Sequence, residues 1–176
     1  STARMGVARC NLRMGNLRQG IRLASEINDP ILLEDCGDIL ETQKQYSDAA
    51  SLYIKADNFD KAGNMYVKYL ITADKSRIAE AAPIMAKVRN DRLNTSFGKL
   101  CQKLGHYQEA AQAFQRAHDL DTVVQLKLRH LDQVQGAFDL IRETSSAQGA
   151  QYVADYCMEV NDFRGAIEFL LIANKS

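Results

Sequence analysis

Tryptophan is absent from the 176 residues, proline occurs only twice and glycine only ten times. So few breakers, set against abundant Ala, Leu, Gln, Lys, Arg and Glu, argue for an all-α chain rather than a sheet built on tight turns. Net charge is missing as well. Twenty-two Lys and Arg balance 22 Asp and Glu, so no overall field draws the chain to nucleic acid or to an anionic membrane. No apolar run approaches the ~18 to 20 residues of a membrane span, and no signal peptide opens the chain, so direct membrane insertion is not expected. The chain begins "STAR" without Met and stops at "ANKS", which reads as a piece of something larger. With 46% hydrophobic residues it has material for a core or for one long stack of elements.

Site chemistry is lacking too. The four cysteines, Cys10, Cys36, Cys101 and Cys157, form no C-x-x-C pair and read as small apolar residues on buried helix faces. His106, His118 and His130 are spaced twelve apart, which on a helix gives no common face within ligand reach, so they read as helix-end or surface groups. There is no Gly-rich phosphate loop, no G-x-S-x-G elbow and no H-E-x-x-H. Acid pairs such as Glu34 and Asp35 are sequential and point about 100° apart on a helix. No catalytic residue, metal or cofactor is expected, and the chain does not read as an enzyme.

What is present is a phrase said repeatedly. Tyr46, Ala49, Ala50, Tyr53 and Ala56 are followed thirteen residues on by Phe59, Ala62, Gly63, Tyr66 and Tyr69. Thirteen residues hold one helix and a turn, and positions i, i+3, i+4, i+7 and i+10 form one stripe on that helix. The small pair at i+3 and i+4 lets a neighbouring backbone approach to the 8 to 10 Å of close helix packing. Tyr107, Ala110, Ala111, Phe114 and Ala117 repeat the phrase, as do Phe163, Ala166, Ile167, Leu170 and Ala173; weaker copies start at Leu17 and Val134. Gly15, Asn16, Asn58, Gly105, His106, Asn161 and Asp162 precede the anchors, as suits a left-handed residue closing one helix and a polar residue capping the next.

About twelve helices follow, over 2–14, 17–27, 30–43, 47–56, 59–71, 75–88, 91–104, 107–117, 120–130, 134–144, 146–160 and 163–173. Asp29 and Pro30 read as a cap with proline at the first helical position, while Pro83 should kink or break the sixth helix. Short links force antiparallel neighbours. No single helix can bury its stripe alone but a stack of hairpins can, so residues 1–176 read as one α-solenoid segment.

The run "LCQKLGHYQEAAQAFQRAHDLD" resembles the helix junction of a tetratricopeptide repeat, with Leu104 and Gly105 before Tyr107, then Ala110, Phe114 and Ala117. Asp121 stands where that repeat expects proline, and the ~34-residue period is not kept, so the repeat is degenerate. The opening copies resemble the irregular helical tails that follow WD-repeat propellers in transport coats. More particularly, "LIRETSSAQGAQYVADY" and "NDFRGAIEFLL", with "SLYIKADNFDKAGNMYVK" upstream, resemble the intraflagellar transport protein 144 family, the WD-repeat and tetratricopeptide subunit of intraflagellar transport complex A. That resemblance implies a scaffold segment of the retrograde ciliary train that helps import membrane-receptor cargo. Its partners would be other subunits of intraflagellar transport complex A and neighbouring repeats of its own full-length chain. It would work at the cilium or flagellum and basal body, on the cytoplasmic side. Two alternatives stay open: a tetratricopeptide-type receptor whose groove clamps a short acidic peptide, and a helical segment of another vesicle or coat transport subunit.

Four residues stand out as candidates for partner binding. Ile54 and Val67 occupy the place of Gln115 in the copy at Tyr107 and are off-template apolar residues. Leu171 and Ile172 lie about 100° and 200° round from the stripe of Phe163, Ala166, Ile167 and Leu170, which the preceding helix can cover. They therefore await a further repeat or a second copy. Residues 1–25 carry Arg4, Arg9, Arg13, Arg18 and Arg22 and no acid, whereas 26–43 carry six acids and no base. Such neighbours either neutralise one another or leave a basic patch for an acidic partner or lipid.

Overall fold

A computed structural model describes residues 2–175, which contain twelve helices and no strand. The helical segments are α1 Thr2–Arg13, α2 Leu17–Ile27, α3 Pro30–Thr42, α4 Tyr46–Lys55, α5 Phe59–Met65, α6 Ile71–Ala73, α7 Ile78–Met85, α8 Asp91–Lys103, α9 Tyr107–Arg116, α10 Leu120–Arg129, α11 Val134–Thr144, α12 Ala147–Glu159 and α13 Phe163–Ala173. A π-helical turn, Tyr66–Leu70, joins α5 to α6 without a break, so the two form one helix. The chain packs as two compact units that divide between Leu93 and Asn94, in the first turn of α8.

The links explain the antiparallel pairing. At six of them the same closure recurs: a residue with positive φ, then a capping residue, then the anchor that opens the next helix. The left-handed residues are Gly15, Lys44, Asp57, Gly105, His118 and Asn161. The amide after each reaches back five residues, as Asn16 to Asn11 at 2.8 Å, Asn58 to Tyr53 at 2.9 Å and Asp162 to Cys157 at 2.8 Å. This Schellman closure satisfies carbonyls that the helix end would otherwise orphan and turns the chain within three residues. Asn58, Asp119 and Asp162 then accept from the amide three residues on, whereas Asn16 and His106 cap without a side-chain bond. Asp29 caps α3 through the Leu32 amide, with Pro30 at the first turn.

Pro83 lies inside α7, where it lacks the N–H that would bond the carbonyl four residues back. The helix runs only two residues further, to Met85, and not to 88 as the pattern predicts.

Within each unit the cores meet along the stripes. In the first, Leu12, Leu32, Leu33, Leu40, Leu52, Tyr53, Met65, Ile71, Ile78 and Met85 are fully buried. In the second, α10 to α13 share a cluster of Val124, Ala137, Ile141, Ala150, Val153, Ala154, Cys157, Ala166 and Phe169. Nine residues before each of four anchors stands a buried small residue on the preceding helix: Ala8, Gly37, Gly98 and Ala154. A Cβ on Gly37 would sit 2.6 Å from the Tyr53 ring, and one on Gly98 2.9 Å from the Phe114 ring. The α3–α4 and α8–α9 hairpins therefore close with an aromatic ring against a bare backbone.

Candidate functional site

The small positions of the phrase are buried wherever it is complete: Ala49, Ala50, Ala62, Gly63, Ala110, Ala111 and Ala166. So are Tyr53, Tyr66 and Phe114 at the seventh step. The anchors behave differently. Tyr46, Phe59 and Tyr107 are half-buried, each roofed by a side chain from further along. Tyr46 stacks on Tyr69 with ring centres 3.6 Å apart, Tyr107 stacks on His130 at 4.0 Å, and the Lys87 ammonium lies 4.7 Å over Phe59.

Phe163 and Ile167 correct the sequence reading, in which α12 covers both. Phe163 is 57% exposed and Ile167 more than half exposed, because α12 instead covers the side carrying Ala166 and Phe169. Leu171, one turn beyond Ile167, is 60% exposed, while Ile172 is half-buried against the core cluster. Ile54 and Val67 are also half-buried, within the packing of the first unit.

Eight large apolar side chains are more than half exposed among the described residues. Val7 and Met14 belong to α1 and its end; Met158, Val160, Phe163, Ile167 and Leu171 belong to α12, its cap and α13; Ile31 alone lies between. Scattered exposed apolar residues need no explanation, but a concentration on the first helix and the last two does.

Tyrosine hydroxyls and carboxylates form a polar seam in the first unit. The Tyr53 hydroxyl lies 2.6 Å from Asp38 Oδ1 and 2.9 Å from Glu41 Oε2, so one proton serves two acceptors. Burial, then these two hydrogen bonds, push its pKa far above the ordinary tyrosine value. Tyr66 donates to Glu80 at 2.6 Å, and burial followed by that bond raises it to about 12. Burial opposes the charge on Lys61, but hydrogen bonds to Glu34 and Asp38 outweigh it and raise its pKa. Neither phenol can serve as a base near neutral pH, and the seam reads as a structural clasp.

The charge blocks partly neutralise each other: Arg9 binds Asp35 at 2.8 Å, Arg22 binds Glu26 at 3.0 Å, and Arg4 lies 3.8 Å from Glu26. No ion pair involves Arg13 or Arg18 among the described residues. A cleft in the first unit is bounded by Glu34, Asp57, Asn58, Phe59, Asp60, Lys87 and Arg89 and mixes both signs. No group of three or more His, Cys, Asp or Glu among the described residues is placed to hold a metal, and no helix is long and apolar enough to cross a membrane. Cys36, Cys101 and Cys157 are buried, and burial raises their thiols to about 11, 12 and 11. Cys10 departs from the buried reading, because it stands on the outer side of α1.

Sequence reasoning missed two features. Glycine and asparagine announce a left-handed position, so Gly15, Gly105 and Asn161 were legible while Lys44 and His118 were not. The small residue nine before an anchor was visible as a spacing in four copies, but nothing local distinguishes it from an ordinary helical Gly or Ala.

No protein-family profile matches the chain. Among solved structures, YrrB, described as a TPR protein with an unusual peptide-binding site, is 17% identical, with 86% of this chain and 89% of that one covered and a TM-score of 0.42. A MamA fragment from Desulfovibrio magneticus RS-1 is 16% identical, with 99% and 97% covered and a TM-score of 0.41. Likeness at that level adds nothing to the helical architecture above. Sequence relatives say more. WD repeat-containing protein 19 of Homo sapiens is 33% identical over 168 residues, its counterpart in Mus musculus 32%, and WD repeat-containing protein dyf-2 of Caenorhabditis elegans 30%. The chain is thus similar to one segment of these WD repeat-containing relatives, over 96% of its own length, and spans 12% of theirs.

Proposed function

We propose that this chain is a helical-tail segment of the WD-repeat subunit of intraflagellar transport complex A and acts there as a non-enzymatic scaffold. Residues 1–176 form a single tetratricopeptide-like α-solenoid segment in this reading. Its helix faces join other subunits of complex A, and its first and last helices join neighbouring repeats of its own full-length chain. The site of action is the cilium or flagellum and basal body, on the cytoplasmic side, in the retrograde train and in import of membrane-receptor cargo.

One observation carries the reading: homology to the WD repeat-containing relatives runs along nearly the whole chain rather than through one motif. Two features support it. The apolar side chains left in water gather on α1 and on α12 and α13, as a stack continued at both ends requires. The mixed cleft at Glu34, Asp60, Lys87 and Arg89 gives less support to a receptor for an acidic peptide, which needs bases converging on one groove. Pull-down of complex A subunits by the 176-residue chain is the test. Capture that is lost on Ile54→Glu with Val67→Glu, in a variant that keeps its helical spectrum, supports a partner face there. No capture above an unrelated helical-repeat protein sinks the assignment. The exposed face of α13 has its own check: sedimentation at rising concentration should show self-association that Phe163→Glu with Leu171→Glu abolishes.

A further inference from the structure

One polar side chain is fully enclosed among the described residues, Asn94 at 0% exposure. It stands in the first turn of α8, on the side that also buries Phe97, Gly98 and Cys101, where the spacing of the stripe calls for an apolar residue. A buried amide must be bonded or it costs stability. Its Oδ1 accepts from Nε of Arg116 at 3.0 Å, in the last turn of α9, which the hairpin brings alongside. An apolar residue at 94 would need no such partner, so the pair departs from the packing rule of the phrase, and departures of that kind gather at functional sites.

Arg116 departs from it too. Its side chain is half-buried, and burial pulls its pKa below the ordinary arginine value without discharging it. No carboxylate lies within ion-pair distance of it among the described residues, and residues 94–108 contain no Asp or Glu. A cation held only by a neutral amide carries the cost of desolvation with no opposite charge to offset it. The bond to Asn94 uses Nε, which leaves both Nη nitrogens without an acceptor among the described residues. Since no enclosed side-chain nitrogen lacks a partner, those two reach the surface. They form a flat fork that matches two carboxylate oxygens at once. In the other arginines of the second unit these traits do not meet: Arg129 and Arg142 are occupied by Glu159 and Glu168, and Arg164 is exposed.

From this arrangement we infer that Arg116 binds a carboxylate of a partner protein, an Asp or Glu side chain or a chain terminus, and that Asn94 is the positioning residue that aims the fork. A guanidinium partly withdrawn from water holds an anion more strongly than one fully solvated. One positive charge balances one carboxylate, whereas a phosphate monoester, at about −1.5 to −2, would leave excess charge in a half-buried place. The site is a single anchor and not a groove of converging bases. It lies wholly within the second unit and stands whether or not the transport assignment does.

Nitrogen-15 NMR of the arginine side chains in the whole chain tests it, with acetyl-glutamate amide, acetyl-leucine and acetyl-glutamine amide as probes. The first offers a side-chain carboxylate, the second a terminal one, the third neither. At least one carboxylate should shift the Arg116 Nε resonance saturably, at a concentration at least about fivefold below that which moves the exposed Arg164, and whichever binds tighter names the source. The neutral probe should move neither resonance. Arg116→Gln keeps a nitrogen where Nε stood, so the bond to Asn94 survives while the fork and the charge are gone. That variant should match or exceed the melting temperature of the parent and lose the carboxylate-dependent shifts of nearby backbone amides. Asn94→Leu should speed solvent exchange of the Arg116 Nε proton and weaken the carboxylate response at least about threefold, and no change in either would remove Asn94 from the site. An Arg116 resonance that moves no more readily than Arg164, inorganic phosphate binding more tightly than both carboxylates, or amide shifts that persist in Arg116→Gln would each overturn the proposal. So would a melting temperature of Arg116→Gln below the parent, because the charge would then belong to the α8–α9 packing.

Discussion

Seven residues after the anchor, the first unit carries Tyr53 and Tyr66 where the second carries Phe114 and Leu170. In the first, each buried ring brings a hydroxyl that needs an acceptor, and Asp38, Glu41 and Glu80 supply one at 2.6 to 2.9 Å. In the second, the ring at the same step is purely apolar; the half-buried Arg116 donates to the buried Asn94, and the ion pairs lie at the rim. There Arg129 pairs with Glu159 on both oxygens and Arg142 binds Glu168 at 3.0 Å. The backbone phrase is common to both units, so the difference shows that the repeat specifies volume at this step and leaves polarity to the neighbours.

Emptying the step is the strongest way to break the comparison. Phe114→Ala should cost about 3 to 5 kcal/mol, since the ring is buried against Gly98 and little can collapse into the space. Urea melts that move by less than ~1 kcal/mol would mean that the ring is not part of the core.

Filling the bare backbone under the ring comes next. Gly37→Ala and Gly98→Ala each place a methyl 2.6 to 2.9 Å from an aromatic carbon, and each should lose about 1 to 3 kcal/mol. Ala110→Leu, at a fully buried contact, should fall in the same range. Thermal melts in which the two glycine variants match the parent would show that the hairpins do not close on these rings.

Exchanging the polarity sharpens the comparison further. Tyr53→Phe leaves Asp38 and Glu41 at the surface, where water can replace the lost donor, and should cost about 0.5 to 1.5 kcal/mol. Phe114→Tyr adds a hydroxyl to a ring that is 2% exposed and should cost about 1 to 3 kcal/mol. The reverse order of effects would mean that an acceptor stands behind Phe114.

Alkali distinguishes the units without large structural change. Tyr66 is raised from its ordinary value of 10.0 to about 12, and Tyr53 moves in the same direction. A raised phenol contributes stability that is fully present below the unfolded pKa and is lost as pH rises through the folded one. The first unit should therefore weaken between about pH 10 and 12. A Tyr53→Phe, Tyr66→Phe double variant should show a shallower decline over that window, and an unchanged slope counts against the seam.

The smallest effect belongs to the rim. Arg129→Ala should cost no more than about 1 kcal/mol, because exposed ion pairs contribute little. A larger loss would place the cation over the Tyr156 ring, 5.5 Å away, among the packing contacts.

Much of the fold was legible, and for one reason. Anchors and small pairs recur at helical spacing, so Tyr46, Ala49, Tyr107 and Ala110 declare a stripe without any knowledge of what covers it. The candidate faces were read less well. Phe163 and Ile167 satisfy the stripe pattern as fully as Tyr107 and Ala111, yet they stand in water. A periodic pattern records which residues share a side of a helix, and it carries no information on which side the neighbouring helix takes.

Residue order alone determined the all-α class, the helix count and the short links, because propensity, spacing and capping act within a dozen residues. It also determined the absence of acid from residues 1–25. Tertiary structure decided what contact over long separations decides: that Lys44 and His118 would take left-handed backbone, that Tyr53 would share its proton between Asp38 and Glu41, and that Cys10 would face outward while three other thiols were enclosed. Burial is a property of pairs of helices, and a helix read singly has two sides that either partner could take.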